Sequence, residues 1–439
     1  MRFEGYVKII KLGLPILIGQ LGMIVVGFAD TTMVGRYSTD ALASASFVNN
    51  LFNVAIITTM GFSYGLTPLM GALFSNKRYR KIGEMLRNGV VVNVVFTLVM
   101  MAVMTAVYFN LERLRQPEEL LPLIRPYYLI YLAGMLPIAV FNVFGQWSYS
   151  IRRTKMPMWI TLASNVINIA GNWMLIYGHC GFPELGLTGA GLSTLVARLF
   201  LPIAIVTVFL TGRDYRSYRE GFMQGRLSSG MLGQIWRTSW PVSMQMAFET
   251  GSFSGAGVMA GWLGSVSLAA YQIFIIIGTL GFCVYYSMGS AVSVLVANAA
   301  GQGDRQKMRV TAARGYRIIL LLAAMSSTVF FLFADKIIGI FTTDEVVESA
   351  AVALIIPLIV YQLGDATQIN YANALRGSAK VMPMIWIAFV SYVVVGLPAT
   401  YIMAFPMGMG TPGIVYSFSV SLFLAAGLFY YFFRRATRG

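Results

Sequence analysis

Three carboxylates stand where carboxylates are costly. Asp30, Glu249 and Asp365 lie inside long apolar stretches, while the rest of the 17 acidic residues fall in polar segments or at the margins of apolar ones. An ionised side chain at the centre of a bilayer costs on the order of 2.5–3.5 kcal/mol on insertion scales, so an acid retained there is expected to be in use. Its natural chemistry is cation handling. Carboxylate and amide oxygens suit a partly dehydrated alkali ion, and a carboxylate alone can carry a proton. The plainer alternative is a buried polar cluster that joins helices.

Helical spacing adds neighbours to each acid. Tyr361 precedes Asp365 by four residues, Gln245 precedes Glu249 by four, and Ser252 follows Glu249 by three. Residues so spaced share one face of a helix. Asn168 and Asn172 are also four apart, one above the other, and a pair of amides equally serves as interhelical glue. Glu249, Asp365 and Asp30, with Tyr361, Asn168 and Asn172 and beside Gln245 and Ser252, are thus the candidate cation ligands.

The elements that must hold these residues are membrane-spanning helices. The 439-residue chain is 57% hydrophobic and 11% charged, whereas soluble domains run near about 25% charged. Ile16–Ala29, Val90–Val107 and Ile318–Phe333 each lack any charged side chain. Backbone crossing a bilayer must satisfy its own polar groups, which leaves helices or closed barrels. Period-2 alternation is absent, which argues against a barrel. The expectation is an all-α integral membrane protein with twelve transmembrane helices.

The formal charge of +15 fits this picture without a nucleic-acid partner. Of 32 Lys and Arg, only Arg36, Arg113, Arg115, Arg125, Arg198 and Lys336 fall outside the segments on one side of the membrane. By the positive-inside rule that side is cytoplasmic, and both termini lie on it. The first apolar stretch reads as a retained span. Cys180, Cys283 and the single His179 offer neither a disulfide framework nor a metal constellation. No cofactor is expected beyond a coupling ion. No phosphate-cradling loop for ATP is evident, so a gradient-driven process is expected.

The chain reads as a duplication at an offset of 226. Pro15 pairs with Pro241, Gly35 with Gly261, Leu42-Ala43 with Leu268-Ala269, Lys81 with Lys307, and Pro157-Met158 with Pro383-Met384. Six spans per half make the repeats parallel, with a site expected between them. The expected division is an N-terminal lobe at 1–211, a polar cytoplasmic linker at 212–229 and a C-terminal lobe at 230–439. The acids escape the duplication: Asp30 pairs with Ala256, Glu249 with Met23, and Asp365 with Ala139.

Phe28-Ala29-Asp30-Thr31-Thr32-Met33-Val34-Gly35 resembles the first-span motif of MATE (multidrug and toxic compound extrusion) transporters. Asn168-x-x-x-Asn172-Trp173-Met174-Leu175-Ile176-Tyr177-Gly178 is similar to their fifth-span motif. Glu249, with Tyr361-x-x-x-Asp365 and Ala374-Leu375-Arg376-Gly377, resembles the NorM-like branch, and the likeness covers the whole chain. It implies a V-shaped, bilobed bundle in the plasma (inner) membrane. It also implies export of cationic or amphiphilic drug-like compounds in exchange for Na⁺ or H⁺. Glu249, Asp365 and Tyr361 would form the cation site of the second lobe, and Asp30, Asn168 and Asn172 the polar cluster of the first. Gln272 falls where that branch has a cavity-lining glutamine. The substrate cavity is thus expected to include Gln272, Gln245, Asp30, Glu249 and Asp365. A monomer is expected.

Three other readings compete with export. A flippase for a lipid-linked precursor would need a basic cavity, whereas the mid-span charges are acidic apart from Arg198. An intramembrane enzyme lacks a nucleophile–base pair, and a receptor or scaffold predicts indifference to neutralising Glu249. Arg198 itself is open between snorkelling, pairing with an acid, and contacting an anion. Pro15, Pro241 and Pro357 fall inside spans as hinges or static kinks, and Asp344 with Glu345 as cation recruiters or a solvated loop.

Overall fold

The computed structural model describes residues 2–114, 117–342 and 344–438; Arg115 lies outside them. The described residues are helical nearly throughout and contain no strand. Twelve long helical segments carry the chain. These are α1 (Arg2–Tyr37), α2 (Thr39–Ser75), α3 (Tyr79–Tyr108), α4 (Glu118–Ser150), α5 (Lys155–Tyr177) and α6 (Gly186–Thr211). They continue with α7 (Ser229–Trp262), α8 (Ser265–Gly301), α9 (Arg305–Leu332), α10 (Ile355–Gly377), α11 (Met382–Ala404) and α12 (Gly410–Thr437).

Among the described residues, nine of these helices are long and apolar enough to cross a membrane. A tenth is the pair Glu345–Val352 and Ile355–Gly377, bent by 43°. α5 and α7 fall outside that set, and they are the helices that carry Asn165, Asn168 and Asn172, and Gln245 and Glu249. Polar side chains kept for the site thus lower the hydropathy of the helices that bear them. Asp344 caps Glu345–Val352 by accepting from the Val346 and Val347 backbone amides at 2.9 and 3.3 Å, so its carboxylate is engaged. Pro357 lies in the first turn of α10, where an N–H has no partner within the helix, directly after the bend. Pro15 and Pro241, by contrast, are interior to α1 and α7.

The chain forms two compact units. One comprises Ile18–Ser243 and the other Met1–Leu17 with Met244–Gly439. Both divisions fall inside helices, α1 and α7, two residues beyond Pro15 and Pro241.

The Ile18–Ser243 unit has two apolar cores. One gathers Val48, Phe52, Tyr128, Leu111 and Ile176, and the other Leu66, Leu86, Val143, Trp147 and Phe209. The polar segment after α6 forms a short helix, Arg216–Gln224, that lies on α3. The two backbones meet at glycines. A Cβ on Gly83 would sit 1.9 Å from the Tyr218 carbonyl oxygen, and one on Gly221 1.9 Å from that of Arg80. Arg80 and Arg87 fasten the segment by donating to Gln224 Oε1 and the Gly225 carbonyl, each at 2.6 Å. Burial raises the phenol pKa of Tyr218, which is tucked beneath it.

Candidate functional site

In the unit containing Met244–Gly439, α7, α10 and α11 converge on two acids. Gln245 and Glu249 are one turn apart on α7, and Gln245 Nε2 donates to Glu249 Oε2 at 2.7 Å. Gln245 is buried and Glu249 half-buried. Asp365 on α10 is 1% exposed, with Tyr361 buried one turn before it. Asp365 and Tyr361 both lie within electrostatic range of Glu249.

Asp365 Oδ2 and Gln245 Oε1 are buried and receive no hydrogen bond. A buried acceptor without a partner costs about 1–3 kcal/mol, more when charged. Two carboxylates that sense one another therefore call for a proton or a small cation. Arg376, buried near the end of α10, faces Glu249 electrostatically.

In the Ile18–Ser243 unit, Asn172 Nδ2 donates to Asp30 Oδ1 and lies 3.4 Å from Asn168 Oδ1. Asn168 Nδ2 donates to Thr194 Oγ1 at 3.1 Å, and Ser193 Oγ donates to the Asn168 carbonyl at 2.7 Å. Close approach of α5 and α6 permits this network: a Cβ on Gly171 would meet Ser193 Oγ at 2.5 Å, and one on Gly189 the Leu175 carbonyl at 2.3 Å. Asp30 also has a cation of its own. Arg198 on α6 faces it electrostatically, with its guanidinium carbon 4.0 Å from the centre of the Tyr131 ring. Gly134, at the break in α4, makes room for that guanidinium, since a Cβ there would lie 2.8 Å from Arg198 Nη1.

The structure thus brings Asp30, Asn168 and Asn172 into one cluster. It brings Glu249, Asp365, Tyr361 and Gln245 into another. Gln272, on α8, is exposed. The Ser252 hydroxyl donates to the Tyr392 carbonyl at 3.3 Å. Tyr392 was not among the residues singled out by sequence, yet its phenol faces Glu249. The signal available was the Gly396-Leu397-Pro398 run that follows it. No group of three His, Cys, Asp or Glu side chains that could hold a metal ion is present among the described residues.

The sequence model of the MatE family matches residues 15–174 and again 241–402, two segments whose starts are 226 residues apart. A probable multidrug resistance protein NorM from Bradyrhizobium diazoefficiens is 28% identical over 99% of this chain and 94% of its own length. The fold superposes on the crystal structure of the eukaryotic MATE transporter AtDTX14 with a TM-score of 0.89 at 17% identity, covering 100% of this chain and 98% of that one. A MOP superfamily transporter from Pyrococcus furiosus gives 0.89 at 16% identity, covering 99% and 96%.

Proposed function

The chain belongs to the MatE family of membrane transporters, and from that premise we propose that it exports small, cationic or amphiphilic organic compounds in exchange for inward Na⁺ or H⁺, with Glu249 and Asp365 holding the coupling ion. The relative from B. diazoefficiens, a probable multidrug resistance protein, supports the substrate class. One observation carries the ion assignment: Asp365 Oδ2 and Gln245 Oε1 are buried acceptors without donors, in range of a second carboxylate. The Asp30 cluster holds a single acid, faced by Arg198 and bonded by Asn172, whereas Glu249, which has Arg376 and Gln245 in those roles, also has Asp365 as a second acid in range. Asp30, Asn168 and Asn172 then serve the substrate and the packing of α1, α5 and α6 more than the coupling ion.

Cation binding at Glu249 and Asp365 neutralises charge, weakens the hold on a cationic substrate and favours its release to the outside. Such coupling requires that ion and substrate bind the alternating states differently. The protein works as a monomer in the plasma membrane with both termini cytoplasmic, and Gln272 and Gln245 contribute to the substrate surface. Flexible, polarizable Met side chains, 26 in all, supply adaptable contacts.

The test is efflux of a fluorescent lipophilic cation from proteoliposomes under imposed Na⁺ or H⁺ gradients, applied separately. Wild type is expected to export the dye under one of them, and Glu249→Gln and Asp365→Asn to lose that dependence. Wild type that moves no dye under either gradient would overturn the reading and favour a lipid-linked precursor flippase.

A further inference from the structure

We propose that Tyr392 is a further ligand of the coupling cation, brought to Glu249 by a locally widened turn of α11. The inference rests on the assignment of Glu249 and Asp365 as the ion site.

The widening has a cause in the sequence. Pro398 lacks an N–H, and its ring crowds the carbonyl four residues back, that of Val394. Over Phe389–Gly396 the helix relaxes into wider turns, and the Leu397 N–H reaches the carbonyl of Tyr392, five residues back. Each residue of an α-helix turns the chain by ~100°, so one extra residue in a turn reassigns which side chain faces a neighbouring helix. Gly396 lets α12 pack closely against this turn: a Cβ there would lie 2.7 Å from Ser421 Oγ and 3.0 Å from the Ser391 carbonyl.

The side chain so placed is Tyr392, 2% exposed. Its phenol faces Glu249 and lies within electrostatic range of Asp365 and Tyr361. Its carbonyl, besides accepting from Leu397, accepts from Ser252, which sits one short turn beyond Glu249. α11 is therefore pinned to α7 at the level of the acid. A phenol brings two properties that a carboxylate lacks. Its O–H, buried with no hydrogen-bond partner, is free to donate towards Glu249, and its neutral oxygen lone pairs remain open to a hard cation. It adds an oxygen ligand without adding a third negative charge, which the pair of acids would not tolerate. Packing alone does not require the hydroxyl, since Phe fills the same volume.

The experiment compares wild type, Tyr392→Phe and Tyr401→Phe, the last an exposed tyrosine on the same helix. Dye efflux is measured in proteoliposomes as the coupling-cation concentration varies. Cation-induced thermal stabilisation in detergent gives a second readout that needs no transport. Tyr392→Phe is expected to raise the half-saturating cation concentration by about tenfold, the size of one hydrogen bond to a charged group, and to shrink the stabilisation. Its maximal rate should stay within about twofold of wild type. Tyr401→Phe should match wild type in both.

An unchanged half-saturating concentration in Tyr392→Phe overturns the inference, whether the maximal rate is kept or lost. Wild type without any cation dependence would bring down the ion-site assignment and this inference together. A cation-dependent wild type with an indifferent Tyr392→Phe brings down this inference alone.

Discussion

Gly221→Ala is expected to lift the Arg216–Gln224 helix off α3. The methyl group would sit 1.9 Å from the Arg80 carbonyl oxygen, and ordinary contacts require more than 3 Å. The obstacle is backbone, so no rotamer change relieves it. The helix must move by more than about 1 Å, comparable to the overpacking that costs 1–3 kcal/mol in well-packed cores. Movement on that scale weakens the Arg80–Gln224 and Arg87–Gly225 hydrogen bonds, at about 1 kcal/mol each. It also uncovers part of Tyr218.

A total of about 3 kcal/mol raises the population of the open linker by roughly a hundredfold. Trypsin cutting after Arg216 and Arg219 reads that population when opening is fast relative to cleavage. The variant should be nicked at least tenfold faster than wild type, with the membrane helices intact. A cleavage rate within twofold of wild type would refute backbone contact as the reason for glycine at this position.

Two further outcomes test the Asp30 cluster. Asn172→Leu removes the donor to Asp30 and is expected to lower the thermal unfolding midpoint in detergent by several degrees; an unchanged midpoint would mean that Asn172 does not hold the acid. Arg198→Met removes the guanidinium from the Tyr131 ring and from Asp30. It should cost about 1–2 kcal/mol and give Asp30 a measurable affinity for added cation in a Glu249→Gln background. A double variant that binds no more cation than Glu249→Gln alone contradicts the view that Arg198 occupies that role.

What the sequence makes legible follows from local periodicity and from charge set against an apolar background. The membrane-spanning helices and the duplication are of this kind. So are the three isolated acids and the Gln245–Glu249 hydrogen bond, which needs only a spacing of four on one helix. Contacts between distant segments are different. Nothing local says that Asn172 meets Asp30, 142 residues earlier, or that Arg198 would settle over Tyr131 in a notch left by Gly134. Tyr392 escapes a reading in steps of 3.6 because its orientation depends on a turn that abandons that period. Pro357 reads as interior to a span, and only the break before Ile355 shows it at a helix start.

The division of the units inside α1 and α7 has a consequence for synthesis. Residues 1–17 emerge first, yet the unit they belong to is completed by residues 244–439, whereas the other unit needs only Ile18–Ser243. At about 5–20 residues per second, the first seventeen residues wait roughly 10–45 s before their first partners leave the ribosome. During that interval the apolar start of α1 must be sheltered by lipid or by the insertion machinery. A chain severed in the segment 212–229 would leave each half without a piece of its own unit. Co-expressed halves should therefore assemble only by exchanging those pieces, and neither should accumulate alone.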